Sequence, residues 1–361
     1  MRCEKGCMRA QPFLLGETPR CLASLLELFA VESRTPWYMR PRAFSRLITL
    51  LLLGYVTLCV VAGVFVAETT LHPGRRPLSA KDDMHAQRMA SNHGYVLSAV
   101  TISARDGVPL SAWTVRPRNH SGRTVILLHG LGDNRVGMIG YAELLLAHGF
   151  SVLMPDARAH GASGGQLATY GLLESDDIHR WFEWLQQNEH PACIFGFGES
   201  MGAAQLLQSL QNQPHLCAVA AESPFSTFRE IAYDRVGQFF HTGPWLGRTV
   251  FRPIVEVAFG YARWKYGMNF EQVAPEKIVA ESKVPILLIH GREDRNIPIR
   301  HSRRMAVHNP TLALWEVRDA DHCGAIATAP QELERRLMNQ FQVSGQRTAE
   351  GAPGSRPVFG R

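Results

Sequence analysis

Gly198-Glu199-Ser200-Met201-Gly202 is the segment of this chain best suited to nucleophilic chemistry. A short apolar run, 193–197, precedes it, and helix-forming residues, 203–210, follow it. A serine on such a sharp strand-to-helix turn projects its Oγ into the open. Gly198 and Gly202 remove Cβ atoms where strand and helix crowd the turn. The helix start supplies backbone N–H groups and the positive end of a dipole where negative charge would develop. The alternative is a glycine-rich turn without chemistry, which the strand–helix setting argues against.

A serine nucleophile needs a base, and the base needs an orienting carboxylate. His322, in Asp319-Ala320-Asp321-His322-Cys323-Gly324, is the histidine in the loop after the last predicted strand, 312–317. It could take the Ser200 proton and return it to the leaving group. Upstream, the apolar run 286–289 leads into His290-Gly291-Arg292-Glu293-Asp294. A carboxylate just beyond a strand's C-terminal end is where the acid belongs, and Asp294 is preferred over its neighbour Glu293. His290 and His301 are rival bases, although His290 sits on the loop that should carry the acid. His129-Gly130-Leu131-Gly132 closes another strand, 124–128. There the N–H of Leu131, with that of Met201, would form a two-donor oxyanion hole. His129 itself reads as structural.

Ser200, Asp294 and His322 thus occur in the order nucleophile, acid, base. With that order and the G-x-S-x-G turn, the sequence resembles the α/β-hydrolase-fold serine hydrolases. It is most similar to the branch of bacterial esterases and aminopeptidase-like hydrolases with an HG loop, a D-x-R-x-H-G-x-S loop and GxSMG. Asp156-Ala157-Arg158-Ala159-His160-Gly161-Ala162-Ser163 matches the middle element, with Gly164-Gly165 after it. The resemblance covers about residues 94–341. It implies two-step acyl transfer on an ester, thioester or amide, with no metal or organic cofactor. Two features depart from the lipase pattern: the HGGG loop is absent, and Glu199 stands beside the nucleophile.

The elements that must position these residues follow from periodicity. Residues 95–102 and 110–115 alternate about Arg105-Asp106-Gly107, a hairpin-type turn. Short apolar runs at 124–128, 151–154, 192–197, 218–221, 285–289 and 312–317 alternate with helix-period segments at 139–148, 174–187, 201–211, 301–308 and 332–341. A hairpin followed by strand–helix alternation predicts an α/β fold with a mostly parallel sheet covered on both faces. Residues 225–280 break the rhythm. They are rich in aromatics and read as two or three short helices, either a lid or ordinary packing.

Net charge is +6, but residues 1–46 hold eight Lys/Arg against four Asp/Glu, leaving +2 for the rest. The catalytic region therefore lacks the basic face of a nucleic-acid-binding protein. The basic segment adjoins Leu47–Ala67, which contains no charged residue and would span ~30 Å as a helix. Arginines before this run place the N-terminal segment in the cytoplasm and the catalytic part outside, by the positive-inside rule. A cleaved signal peptide is disfavoured by the length of the run and by a poor small-residue site at Val64–Ala67. Residues 22–31 suggest a short amphipathic helix, and Met39-Arg40-Pro41-Arg42 reads as an alternative membrane-protein start. Seven cysteines without a CxxC pair suggest buried or free thiols, with at most one disulfide.

The expected organisation is a basic segment (1–46), a transmembrane helix (47–67), a linker (68–93, with a helix over 80–90), a catalytic domain (94–343) and a disordered tail (344–361). The expected function is membrane-anchored hydrolysis of a carboxylic ester or thioester through an acyl-enzyme on Ser200. The partners would be the membrane, through residues 47–67, and a small-molecule or lipid-like acyl substrate, with no nucleic acid. A peptidase or amidase of the same fold is the rival enzyme. A binding protein that keeps the fold is the rival class, opposed by the complete set of Ser200, Asp294 and His322.

Overall fold

A computed structural model describes residues 41–212, 215–309 and 311–350. Readings made for residues 1–38, and Met39 as a start, lie outside the described residues. The chain divides into two compact units between Val56 and Thr57. That boundary falls inside helix α1 (Pro41–Leu71), which is long and apolar enough to cross a membrane. In the first unit Leu50, Leu51, Leu52 and Leu53 are all more than half exposed. In the second, Leu58, Val61 and Phe65 of the same helix are exposed to a similar degree.

The second unit is built on one eight-stranded sheet in the order β1-β2-β4-β3-β5-β6-β7-β8. The strands are β1 (Val96–Ser103), β2 (Pro109–Arg116), β3 (Arg123–Leu128), β4 (Ser151–Pro155), β5 (Cys193–Glu199), β6 (Ala218–Glu222), β7 (Ile286–Gly291) and β8 (Ala313–Val317). β2 runs antiparallel to both β1 and β4; the remaining pairs are parallel. The apolar runs are continuous because both faces are buried. Successive side chains alternate between two cores. Val125, Leu127, Phe195 and Phe197 face one, while Ile126, Leu128 and Ile194 face the other.

Helices seal both faces. α2 (Ala80–His93), α3 (Ile139–Ala147) and α12 (Pro330–Glu350) supply Met89, Leu145 and Phe341 to the first core. α4 (Glu174–Asn188), α5 (Ser200–Ser209), α9 (Pro275–Glu281) and α10 (Arg300–His308) supply Trp181, Leu206, Val279 and Met305 to the second. Phe341 lies 4.9 Å from Phe195, ring centre to ring centre, and both are fully buried. Burial of each such side chain stabilises the fold by about 1.5–3 kcal/mol. A short α11 (Ala325–Thr328) precedes α12. Between β6 and β7 the chain forms a cap of α6 (Phe228–Phe239), α7 (Pro244–Arg248) and α8 (Arg252–Tyr266), after which α9 returns it to the sheet.

Several expectations need correction. The stretch 68–93 is not a free linker. Helix α1 continues to Leu71, which is buried, and Arg75 donates to the carbonyls of Ser163 and Gly165 at 2.7 Å each. Arg76 pairs with Asp133, and Ser79 and Asp82 form a capping box that starts α2. The expected tail begins too early, because α12 carries on through Glu350: Gly345 alone does not outweigh the helix formers around it. Residues 351–361 lie outside the described residues. Residues 225–280 hold four helices rather than two or three, counting α9. Cys193 and Cys217 are joined in a disulfide, their Cα atoms 6.0 Å apart at the starts of adjacent parallel strands. Among the described residues Cys59 and Cys323 are free.

Candidate active site

The chain turns from β5 into α5 within one residue, and Ser200 takes the strain. Its φ is +51°, in the left-handed region that non-glycine residues seldom occupy. The turn closes only because both glycines lack a Cβ. One added at Gly202 would lie 2.4 Å from the Leu128 carbonyl oxygen, and one at Gly198 would lie 2.6 Å from the Gly202 carbonyl carbon. The result is a serine raised at the C-terminal edge of the sheet, at the start of a ten-residue helix.

The loops after β7 and β8 deliver the other two groups. The Ser200 hydroxyl lies 2.8 Å from His322 Nε2, and His322 Nδ1 lies 2.8 Å from an Asp294 carboxylate oxygen. Asp294 is buried and also accepts the N–H groups of Asn296 and Ile297 at 2.9 and 2.8 Å. Burial alone would raise its pKa, but hydrogen bonds from His290, His322 and Ile297 outweigh it and hold the carboxyl well below the usual range. An ionised Asp294 fixes the tautomer of His322 with a proton on Nδ1, leaving Nε2 to accept from Ser200.

The rival histidines are committed elsewhere. His290 places Nδ1 2.7 Å from the Ser302 hydroxyl and Nε2 2.7 Å from the Ile297 carbonyl, and the same Nε2 lies 3.4 Å from Asp294, so it supports the acid rather than facing Ser200 as a base. His301 contacts Ser226 and Asp234. His129 is fully buried, accepts the Ala157 N–H at 3.1 Å and donates to the Gly130 carbonyl at 2.8 Å. Burial, with His160 nearby, lowers its pKa to about 4, so it is a neutral strut.

Gly130 passes close over the nucleophile: a Cβ there would stand 3.6 Å from that of Ser200. Leu131 and Met201 both line the cavity that contains Ser200. Met201 lies in the first turn of α5, and Leu131 follows Gly130, so the two expected oxyanion donors flank the serine. The Asp156–Ser163 segment lies behind this loop as a brace. Asp156 accepts from the Arg135 backbone and guanidinium at 2.8 and 2.6 Å and from the Ala162 N–H at 2.7 Å. Arg158 grips Asp177 with two hydrogen bonds of 2.7 Å.

A buried acidic pair behind the site was not anticipated in full. Glu222, at the end of β6, accepts the Tyr141 hydroxyl and the Ala325 N–H at 2.9 Å each, and so anchors the chain three residues beyond His322. Glu199 is held against Gly130 by a backbone hydrogen bond. Burial, then the charges of Glu222 and Asp133, push its carboxyl up to about 8. A carboxylate at the end of a strand was the available signal for Glu222, but several strands end that way.

From Ser200 a cavity of about 580 Å³ runs between the end of α1 and the cap. Val66, Leu71, Phe228, Val255, Ala258 and Ile297 form much of its wall. Beside it Phe228 of α6 packs on Phe259 of α8, 5.9 Å between ring centres, with Tyr170 and Phe270 outside the cap at 4.6 and 5.0 Å from Phe228. The side chains of α6 and α8 therefore shape this space, as a lid would.

A sequence profile described as the alpha/beta hydrolase family matches residues 125–336, more than half of the chain. The Bacillus subtilis protein YqkD is 28% identical over 250 residues, covering 68% of this chain and 78% of its own length. The Escherichia coli K12 protein YfhR is 24% identical over 253 residues, covering 68% and 80%. Among solved structures, the Pyrococcus furiosus esterase Pf2001 is 27% identical with a TM-score of 0.59, covering 76% of this chain and 98% of its own.

Proposed function

The chain belongs to the alpha/beta hydrolase family, and from that premise we propose a membrane-anchored serine hydrolase that cleaves a carboxylic ester or thioester. The observation that carries this reading is the continuous relay of 2.8 Å contacts from Ser200 through His322 to Asp294. In the first step His322 Nε2 takes the hydroxyl proton as Ser200 Oγ attacks the carbonyl. The N–H groups of Leu131 and Met201 receive the oxyanion. The tetrahedral intermediate collapses, the alcohol or thiol leaves with the proton from His322, and the acyl group remains on Ser200. Water, deprotonated by His322, then releases the acid and restores the serine. Asp294 stabilises the imidazolium formed in each half. Similarity to a solved esterase favours an ester over an amide.

The anchor is helix α1, with the catalytic domain that follows it on the extracytoplasmic side. The excess of arginine and lysine before the apolar run supports that orientation. So does the Cys193–Cys217 disulfide, which an oxidising compartment would preserve. The test is fluorophosphonate labelling of the purified full-length protein. Wild type is expected to label and Ser200→Ala to lose the signal, after which a panel of p-nitrophenyl esters defines activity. A folded wild type that neither labels nor hydrolyses any ester would overturn the reading and favour a binding protein.

A further inference from the structure

We infer that the exported end of the membrane helix is itself a wall of the acyl pocket, and that the pocket takes a single long acyl chain from the adjoining leaflet. The inference rests on the serine-hydrolase reading above and adds to it a substrate class and a specificity-determining element.

Residues 57–71 of α1 belong to the same compact unit as the active site. Val66, Ala67, Thr69, Thr70 and Leu71 line the cavity that contains Ser200. Leu71 packs in one apolar cluster with Met201, Tyr170 and Phe228, and its carbonyl accepts the Ala168 N–H at 3.0 Å. The Thr70 carbonyl accepts the Tyr170 hydroxyl at 2.8 Å. The helix also meets α8 without a gap. A Cβ at Gly63 would stand 2.6 Å from Val257, so only glycine permits this approach. One turn later, a Glu68 carboxylate oxygen accepts from Tyr261, Lys265 and Tyr266 at 2.6, 2.7 and 2.8 Å. An anchor that served only as a tether would need none of these contacts.

The same residues locate the pocket relative to lipid. The uncharged run ends at Ala67, and Glu68 begins a cluster of charge and aromatic rings. Tyrosines and tryptophans gather at that depth in membrane proteins. Trp264, 81% exposed, stands 6.0 Å from Tyr261 on the same helix. Leu71 is four residues beyond Ala67, about 6 Å along the axis. The pocket wall therefore lies in the interfacial layer, beside the exposed Val61 and Phe65 of α1, which face where acyl chains would be. The cavity volume of about 580 Å³ is within the usual range of ligand pockets and suits one chain.

The test uses full-length protein in phospholipid nanodiscs and the ratio of kcat/KM for p-nitrophenyl laurate to that for p-nitrophenyl butyrate. Ala67→Phe fills the wall and Leu71→Ala opens it. Each methylene withdrawn from an apolar pocket is worth about fourfold. Ala67→Phe should lower the ratio by on the order of tenfold or more, and Leu71→Ala should raise it or extend the profile to palmitate. If either variant fails to fold, the other still decides. A ratio unchanged in a folded variant, with ester hydrolysis present, would overturn the inference and leave the serine-hydrolase reading standing. A wild type that cleaves no ester would remove the reading and this inference together.

Discussion

Glu199 gives a quantitative prediction about pH. Its carboxyl is largely buried beside the Ser200 turn, pushed up to about 8 by burial first and then by Glu222 and Asp133, and hydrogen-bonded to Gly130 of the loop after β3. While protonated it adds no charge. Once ionised it places a negative charge against the loop proposed to receive an oxyanion, which would raise the transition state more than the ground state. With a pKa of about 8, roughly a tenth of the enzyme is ionised at pH 7 and roughly nine-tenths at pH 9. If the neutral form carries the activity, kcat/KM should fall about tenfold between those values. Glu199→Gln keeps the shape of the side chain and removes the titration, so its profile should stay flat over this range.

The same shift has a consequence for stability, and its sign follows from linkage. The native carboxyl holds its proton more tightly than the unfolded one, whose ordinary value is 4.5. The native state therefore binds more protons between pH 4.5 and about 8, and stability falls as pH rises through that window. A shift of that size corresponds to about 5 kcal/mol at most. Glu199→Gln should remove that pH dependence. Fluorophosphonate labelling at graded pH expels fluoride, which does not titrate over this range, so its rates isolate the protein's own titration, and urea titrations at pH 5 and pH 8 give the stability term. An identical alkaline decline in wild type and Glu199→Gln, or no decline in wild type, would refute the reasoning.

Two further outcomes follow from other parts of the site. Asp294→Asn removes the charge that fixes the His322 tautomer, and kcat should fall by about 10³–10⁴-fold with the circular dichroism spectrum intact; a loss under tenfold would mean that Asp294 does not orient the base. Cys193 and Cys217 should resist maleimide in denaturant without reductant and label after reduction. Because the bond spans a separation of 24 residues, Cys193→Ser should cost about 3 kcal/mol in a urea titration, and free reactivity of both thiols in protein isolated from its native cells would count against an oxidising location.

What could be read in the sequence, and what could not, divides by distance along the chain. The Ser200 turn was legible because it is local: a buried run, two glycines and a helix follow one another within twenty residues. Asp294 and His322 were legible because the strand order places the loops after β7 and β8 at the same sheet edge. The disulfide was within reach of the same logic, since Cys193 and Cys217 begin neighbouring parallel strands, but counting cysteines without register could not pair them. Glu222 is different. Its partners, Tyr141 and Ala325, lie 81 and 103 residues away and have no pattern of their own.

The end of the long apolar helix α1 is the hardest case, because a correct local reading concealed it. Charge and proline after Ala67 are what a linker has, and Glu68 read alone marks only where the apolar run stops. Its meaning depends on Tyr261, Lys265 and Tyr266, nearly 200 residues later in the segment whose helices broke the strand–helix rhythm. Hydropathy identifies what lipid can surround and is silent about what else the same helix touches. Residues just beyond the uncharged run line the same cavity as Ser200, so the stretch that reads as a linker belongs to the wall of that cavity.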